Sequence, residues 1–463
     1  MSDLQTAMTG FTGTVLRPGD EGYDEARSVF NGLIDRRPAL IARCTSAADV
    51  AAAVRFGRDE GLTISVYGGG HSVTGAAVWD GGLCIDLRGL KSVTVDPAAR
   101  TVRAAGGVNW GELDAATQEH GLAVTGGRVP TTGVGGLSLG SGSGWLERAF
   151  GFTCDNLIEA EVVTAAGEIV TASATENPDL FWAIRGGGGN FGVVTTFTLQ
   201  LHPLGPIVWG GMLVYPGFRG AEILKAYRDF VATAPDEVGS GLAFMTAPHE
   251  NFVPEPARGH PAVGIICCYA GDPADAPAAY APLLDLQPAM AMVQPMPYVA
   301  VQGLIEPGNP KGRLNYWTAD FYSELPDEAV DVLAATCGAP VSPYTQVIVV
   351  PGGGAVSRVP DDATAFGSRD AAFNIHYLSM WEDPAETDRN ISYTRDLAAS
   401  MKPWATGTAY LNFLGDEGRS RVEESFGPEK YARLQQIKAV WDPDNLFHVN
   451  QNIPPATLPT QRA

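Results

Sequence analysis

The stretch VYGGGHSVTG, residues 66–75, sets three glycines directly before a histidine at the end of an apolar run. Glycine reaches backbone angles other residues avoid and lets a ligand approach the main chain closely. His71 can act as proton carrier, metal ligand or nucleophile near neutral pH. Taken alone, the stretch reads equally well as a tight turn followed by a solvated histidine. Two further glycine runs compete with it for chemistry. Residues 187–192, GGGNFG, satisfy GxGxxG in letters, but a helical DLFWAIR precedes them and a strand-like VVTTFTLQL follows. A dinucleotide fingerprint needs the opposite order, strand then helix, so a Rossmann site is rejected. The chain contains no GxxxxGK[ST], which excludes a phosphate-hydrolysing P-loop. Residues 68–72 and 133–144 remain as loops whose exposed N–H groups can hold the oxygens of a diphosphate. No acidic residue or second histidine stands near His71 at ligand spacing. A nucleotide cofactor therefore fits better than a metal, and no metal is expected.

Several elements must position these loops. Residues 1 to about 35 read as a helical lead-in ending in the short strand PALIARC. In SAADVAAAVRFGRDEG, Ser46 and Asp49 have capping-box spacing and Gly61 stops the helix. LTISV then reads as the strand that delivers the glycines. NLIEAEVVTAAGEIVTAS reads as a hairpin around Ala166 and Gly167. From about 205 to 410 strands such as AVGIICCYAG and TQVIVVPGGG alternate with helical stretches such as AEILKAYRDFVATA. The segment from Arg421 reads as one helix that stops at Asp442-Pro443, before an Asn-rich tail.

The bulk properties bound the partners. At 463 residues the chain exceeds one usual core, so two or more domains are expected. The 31 basic and 52 acidic residues leave a formal charge of −21, which argues against nucleic acid or an anionic membrane surface. No apolar run is long enough to span a bilayer, and the N-terminus lacks a charged n-region followed by an apolar h-region. A cytoplasmic location is the expectation. Six cysteines without a CxxC pair make neither a disulfide framework nor a zinc site. Oligomeric state is silent in the sequence.

Four blocks, taken in order, carry a family resemblance: GGGHSVTG, GRVPTTGVGGLSLGSGSGWLERAFGFTCDNL, NPDLFWAIRGGGGNFGVVTTFTL and DPDNLFHVNQNI. Together they resemble flavoprotein oxidases of the vanillyl-alcohol oxidase (PCMH) superfamily, in its berberine-bridge-enzyme-like branch. The resemblance implies an α+β fold: a two-part FAD-binding PCMH-type domain over 1–205 (core 37–205), and a substrate domain over 206–409. The second domain would hold a large antiparallel sheet flanked by helices. A C-terminal segment, 410–463, would return to the FAD domain.

The resemblance also assigns residues. His71 would bond the 8α-methyl of FAD, and Cys154 in GFTCDNL would supply the second tether of a bicovalent flavin. Gly68, Gly69, Gly70 and Ser72 would face the diphosphate. Gly133, Val134, Gly135 and Gly136 would lie along the flavin edge, with Val134 favouring access of dioxygen. Asn190, Phe191, Gly192 and Val193 would sit near the adenine, and Asn450 and Asn452 beside the isoalloxazine. Tyr67 stands where the family usually carries Arg.

Flavin accepts hydride, so the protein must supply orientation and a proton acceptor. Tyr410 in YLNF is the leading candidate for the base, with Asn412 positioning it or contacting the flavin, and Tyr377 in NIHYLSMW is a second, equally readable as an ordinary sheet aromatic. An unperturbed tyrosine titrates at about 10 and needs help to act near neutrality. The implied activity is oxidation of a C–OH centre on a bulky substrate, such as a sugar, oligosaccharide or glycosylated metabolite, with dioxygen giving hydrogen peroxide. Oxidation of a C–N centre, oxidative cyclisation, and a flavin carrier without turnover stay open as alternatives.

Overall fold

Ser46 starts the first long helix as the capping pattern predicts: its Oγ accepts the Asp49 N–H at 3.1 Å, and the helix runs Ala47–Asp59. It links Leu40–Arg43 to Ile64–Tyr67, and both strands pair in parallel with Leu83–Asp86 between them. Thr14–Leu16 closes the edge antiparallel to Leu40–Arg43. A computed structural model describes residues 8–250 and 253–457 of the chain. The expected helical lead-in shrinks to one short helix, Tyr23–Arg27, and the part of it in residues 1–7 lies outside the described residues. Pro18 and two left-handed glycines, Gly19 and Gly22, break up the remainder.

A second, five-stranded antiparallel sheet has the order Val93–Asp96, Thr101–Ala105, Val193–Gln200, Leu157–Val163, Ile169–Ser173. Its last two strands form the predicted hairpin, turned by Gly167 at φ 76°. Helix Pro178–Ala183 precedes strand Val193–Gln200, the order that excluded a Rossmann site. Val50, Val54, Ile85, Val162, Phe197 and Trp110 pack into one apolar core under both sheets.

The third sheet is antiparallel and seven-stranded, ordered Met290–Pro297, Ile207–Pro216, Pro261–Tyr269, Val238–Thr246, Gln346–Pro351, Phe373–Trp381, Leu314–Tyr322. Helices Gly220–Thr233, Asp327–Cys337 and Thr387–Met401 cover one face, where Tyr227, Leu333 and Leu397 meet Ile265, Val349 and Ile375. Strand side chains alternate in direction, so residues between these face the other way, toward the first two sheets. The architecture is α+β with a large antiparallel sheet flanked by helices, as expected.

The C-terminal helix differs from its sequence reading. It is two helices, Arg419–Phe426 and Pro428–Trp441, split at Gly427, which adopts φ 73°, with Pro428 opening the second. Leu434, Ile437 and Phe447 pack into the core of the first two sheets.

Candidate functional site

Strand Ile64–Tyr67 delivers its glycines against the second glycine run, backbone to backbone. A Cβ on Gly69 would stand 2.2 Å from Gly133 N, and one on Gly133 would stand 2.4 Å from Gly69 N. No residue with a side chain fits at either position. Above this crossing lies a cavity of about 330 Å³, bounded by both glycine runs, by Gly188 and Gly189, and by Val449–Gln451 of the tail. The seven-stranded sheet contributes Trp317, Ile348, His376 and Leu378 from its uncovered face.

His71 is half-buried on this wall. Phe30 stacks on its ring at 4.4 Å, its Nε2 lies 3.0 Å from Thr131 Oγ1, and its Nδ1 lies 3.4 Å from Thr132 Oγ1. Burial, with Lys311 adding positive charge, lowers its pKa to about 4, so at neutral pH the imidazole carries a free lone pair. That is the form a nucleophile needs.

Tyr67, in place of arginine, is a structural support. Its buried hydroxyl donates to Ser28 O at 2.7 Å, and the Arg88 guanidinium stacks on its ring at 3.8 Å. Burial pushes its pKa up to about 12, so it stays neutral.

Of the expected cofactor contacts, Gly68, Gly69, Gly70, His71, Ser72, Gly133, Gly135, Gly136, Gly192, Val193 and Asn450 line the cavity. The others do not. Val134 is fully buried in the core beneath its helix, Val134–Leu139, so its side chain faces away from the cleft. Phe191 is likewise core. Asn190 is a staple: its Nδ2 donates to Gly187 O and Gln451 O, and its Oδ1 accepts the Ile453 N–H at 3.0 Å. Lys438 extends that staple, donating to Asn190 O, Phe447 O and the Asp442 carboxylate. Asn452 lies off the cavity with an unpartnered Oδ1.

Cys154 also lies off the cavity, and no cysteine lines it among the described residues. Its thiol is fully buried with Phe152, Phe321 and Phe366. Burial, aided by the neighbouring Asp155 carboxylate, raises its pKa well above that of a free thiol. A thiol so placed has the surroundings of a packing group, and the structure sets it away from the cavity wall that His71 lines.

Neither Tyr410 nor Tyr377 is among the residues that line the cavity. Tyr410 is buried beside Phe366 and Phe413, and its hydroxyl accepts from Ser143 N at 2.8 Å and Asn412 Nδ2 at 3.2 Å. Burial raises its pKa. Tyr377 points under the helices, where its hydroxyl pairs with that of Tyr322 at 2.6 Å. Burial raises its pKa well above 10. Along NIHYLSMW the side chains alternate, so that His376 and Leu378 line the cleft and Tyr377 lies on the opposite face.

Comparison with known proteins places this geometry. An FAD binding domain family matches residues 38–173, and a berberine and berberine-like family matches 409–454. (R)-6-hydroxynicotine oxidase of Paenarthrobacter nicotinovorans is 32% identical, over 98% of this chain and 99% of that protein. The chain belongs to the berberine-bridge-like family of FAD-linked oxidoreductases. The crystal structure of 6-hydroxy-D-nicotine oxidase from Arthrobacter nicotinovorans superposes with TM-score 0.86 at 30% identity, covering 96% of this chain and 98% of that one. The FAD-linked oxidoreductase pgmH of Aspergillus terreus is 30% identical over 96% of this chain and 94% of its own. A chitooligosaccharide oxidase, 24% identical over 98% of this chain and 99% of that one, shares the fold with TM-score 0.85.

The residues of this berberine-bridge-like chain fit FAD. The glycine crossing leaves the main chain bare along the cavity wall, and Asn450 offers a buried Oδ1 without a protein partner. Among the described residues no cluster suits a metal ion, and no helix is long and apolar enough to cross a membrane. Sequence reasoning missed Arg128, Asn309, Trp317, Phe413 and His376, all of which line the cavity. Only His376 carried a signal, the alternation read with the other parity.

Proposed function

We propose that the protein is an oxidase whose FAD is tethered through His71 alone. It removes two electrons from a C–OH centre on a small, largely apolar substrate, with dioxygen as final acceptor and hydrogen peroxide as product. The observation that carries the substrate class is the composition of the cavity wall. Phe30, Trp317, Leu378, Phe413, Ile305 and Val350 supply hydrocarbon, polar groups are fewer (Arg128, Asn309, His376 and Asn412 among them), and among the described residues the wall holds no carboxylate, lysine or tyrosine. A sugar ring, with a hydroxyl on nearly every carbon, finds less to pair with on the hydrocarbon part of this wall than it needs, and a compact apolar substrate needs less. The hydrocarbon on the wall supports compact apolar substrates over the bulky, glycosylated ones expected from sequence.

When bound, FAD supplies a two-electron acceptor. The chain does the remainder. The glycine crossing would hold the diphosphate, neutral His71 would fasten the ring, and the apolar part of the wall would exclude water while it orients the reacting carbon. Oxidation of a C–N centre is the second reading, favoured by the 32% identity to a nicotine oxidase across nearly the full chain.

A peroxide assay against aryl alcohols, cyclic amines and oligosaccharides tests the proposal. Peroxide from the alcohols is expected. Peroxide from oligosaccharides alone would sink the apolar-substrate reading, and a dithionite-reducible flavin with no turnover would sink the oxidase.

A further inference from the structure

His376 sits mid-strand in Phe373–Trp381, on the uncovered face of the seven-stranded sheet. It is 3% exposed, yet its Nε2 has no protein partner. Phe413 stacks on the ring at 4.0 Å with planes 4° apart, and Trp317 meets it edge-on at 5.2 Å. These two aromatics hold the imidazole plane against rotation. A buried polar group left without a partner costs free energy unless something absent from the bare protein satisfies it.

The rest of the wall leaves few other candidates. Among the described residues, only His71, Arg128 and His376 line the cavity with titratable side chains. His71 is committed to the cofactor in the proposed reading. Arg128 is a permanent cation that pairs with Glu147 at 3.4 Å, donates to Ser143 Oγ at 3.0 Å and stacks over Trp145 at 4.7 Å. Of these three, His376 alone is neither assigned to the cofactor nor a cation, and its Nε2 is unpartnered.

We propose that His376 is a catalytic residue that receives the hydroxyl proton of the substrate. The proposal rests on the oxidase reading above. The C–H bond of the carbinol breaks with its electron pair leaving as hydride to the bound two-electron acceptor. The O–H bond breaks with its proton passing to the imidazole, and a C=O bond forms. Both hydrogens leave at the end of the cycle with dioxygen as hydrogen peroxide.

Burial, with the Arg128 charge adding to it, lowers the His376 pKa to about 3, so the ring is neutral and ready to accept at any physiological pH. A base this weak suffices late in the step, because the hydroxyl becomes strongly acidic as hydride departs from its carbon. The same imidazole then releases its proton readily, since burial disfavours the charged form.

The experiment uses the FAD-loaded protein and its His376→Gln and His376→Asn variants. Flavin bleaching is followed anaerobically in a stopped-flow instrument with 1-phenylethanol and with 1-methyl-2-phenylpyrrolidine. The tertiary amine carries no N–H and can give up hydride without giving up a proton. Reduction by dithionite and the flavin absorbance of each variant report loading and folding. For the alcohol, both variants should lose on the order of 10²- to 10⁴-fold in limiting rate, with KM nearly unchanged. Any bleaching by the amine and all bleaching by dithionite should match the wild type.

An alcohol rate within threefold of wild type in either normally loaded variant overturns the assignment while leaving the oxidase reading intact. An equal loss with alcohol and amine also overturns it, because that pattern reports a structural role. A wild-type protein bleached by the amine but not the alcohol removes the proton to be accepted and overturns it too. A wild type bleached by neither substrate, though dithionite bleaches it, sinks the oxidase reading and this proposal with it.

Discussion

Gly69→Ala tests whether the crossing of the two glycine runs is what shapes the FAD cradle. The new methyl would stand 2.2 Å from Gly133 N and 2.6 Å from Gly133 Cα, against backbone that has no rotamer to escape through. Ordinary contact requires roughly 3.5 Å, so one run must withdraw by about 1 Å. Overpacking of this kind costs about 1–3 kcal/mol. Without FAD the loops can separate and relieve the clash, so the cost appears as weaker cofactor binding, roughly 5- to 150-fold. The comparison variant is Gly303→Ala, whose nearest neighbour would be a backbone oxygen at an ordinary 3.7 Å. Both changes are made in a His71→Ala background, so that loading is reversible and FAD fluorescence quenching yields a Kd. Gly303→Ala should leave that Kd unchanged and Gly69→Ala should raise it within the stated range. Equal affinity in the two variants would refute the claim that close backbone approach builds the cradle.

Two further outcomes follow from buried groups. Tyr410→Phe deletes the acceptor for the Ser143 N–H and for Asn412. A loss of about 1–3 kcal/mol in stability is expected, seen in thermal melting, while the limiting rate of substrate oxidation stays within tenfold. A loss of 10³-fold would restore Tyr410 as the base. Stability should also fall on mild acidification, because burial holds His71 near 4 and His376 near 3, below the unfolded value of about 6.5. Below 6.5 the unfolded chain binds protons that the folded one refuses, so stability is complete above that pH and declines as pH drops toward 4. Urea midpoints of the FAD-free protein at pH 7, 6 and 5 should show this decline, and His376→Gln should flatten it. Superimposable curves for the two proteins would show that His376 is not held neutral by folding.

Glycine spacing and capping made the cradle legible from sequence, because both are local. Ser46 to Asp49 marks a helix start whatever surrounds it, and His71 after three glycines marks a bare backbone turn. Side-chain direction was not local. Val134 and Phe191 face the core, and Asn190 ties the tail to the third glycine loop, through contacts with segments up to 263 residues away. The choice between His376 and Tyr377 depended on which face of the strand the helices cover, which no pattern within NIHYLSMW encodes. Cys154 shows the same limit: the resemblance assigns it a tether, but its packing among Phe152, Phe321 and Phe366 comes from segments distant in sequence. Gly427 and Pro428 were visible in the sequence, but the segment was read as one helix, and the structure divides it at their junction.

The central claim, an FAD fastened to the cavity wall by His71 alone, is tested by denaturing the protein in acid and separating the pellet from released flavin. Wild type and Cys154→Ala should both keep all their yellow colour in the pellet, and His71→Ala should release all of it. Colour retained by His71→Ala and lost only when Cys154 is also changed would contradict the account, as would a wild type that releases its flavin.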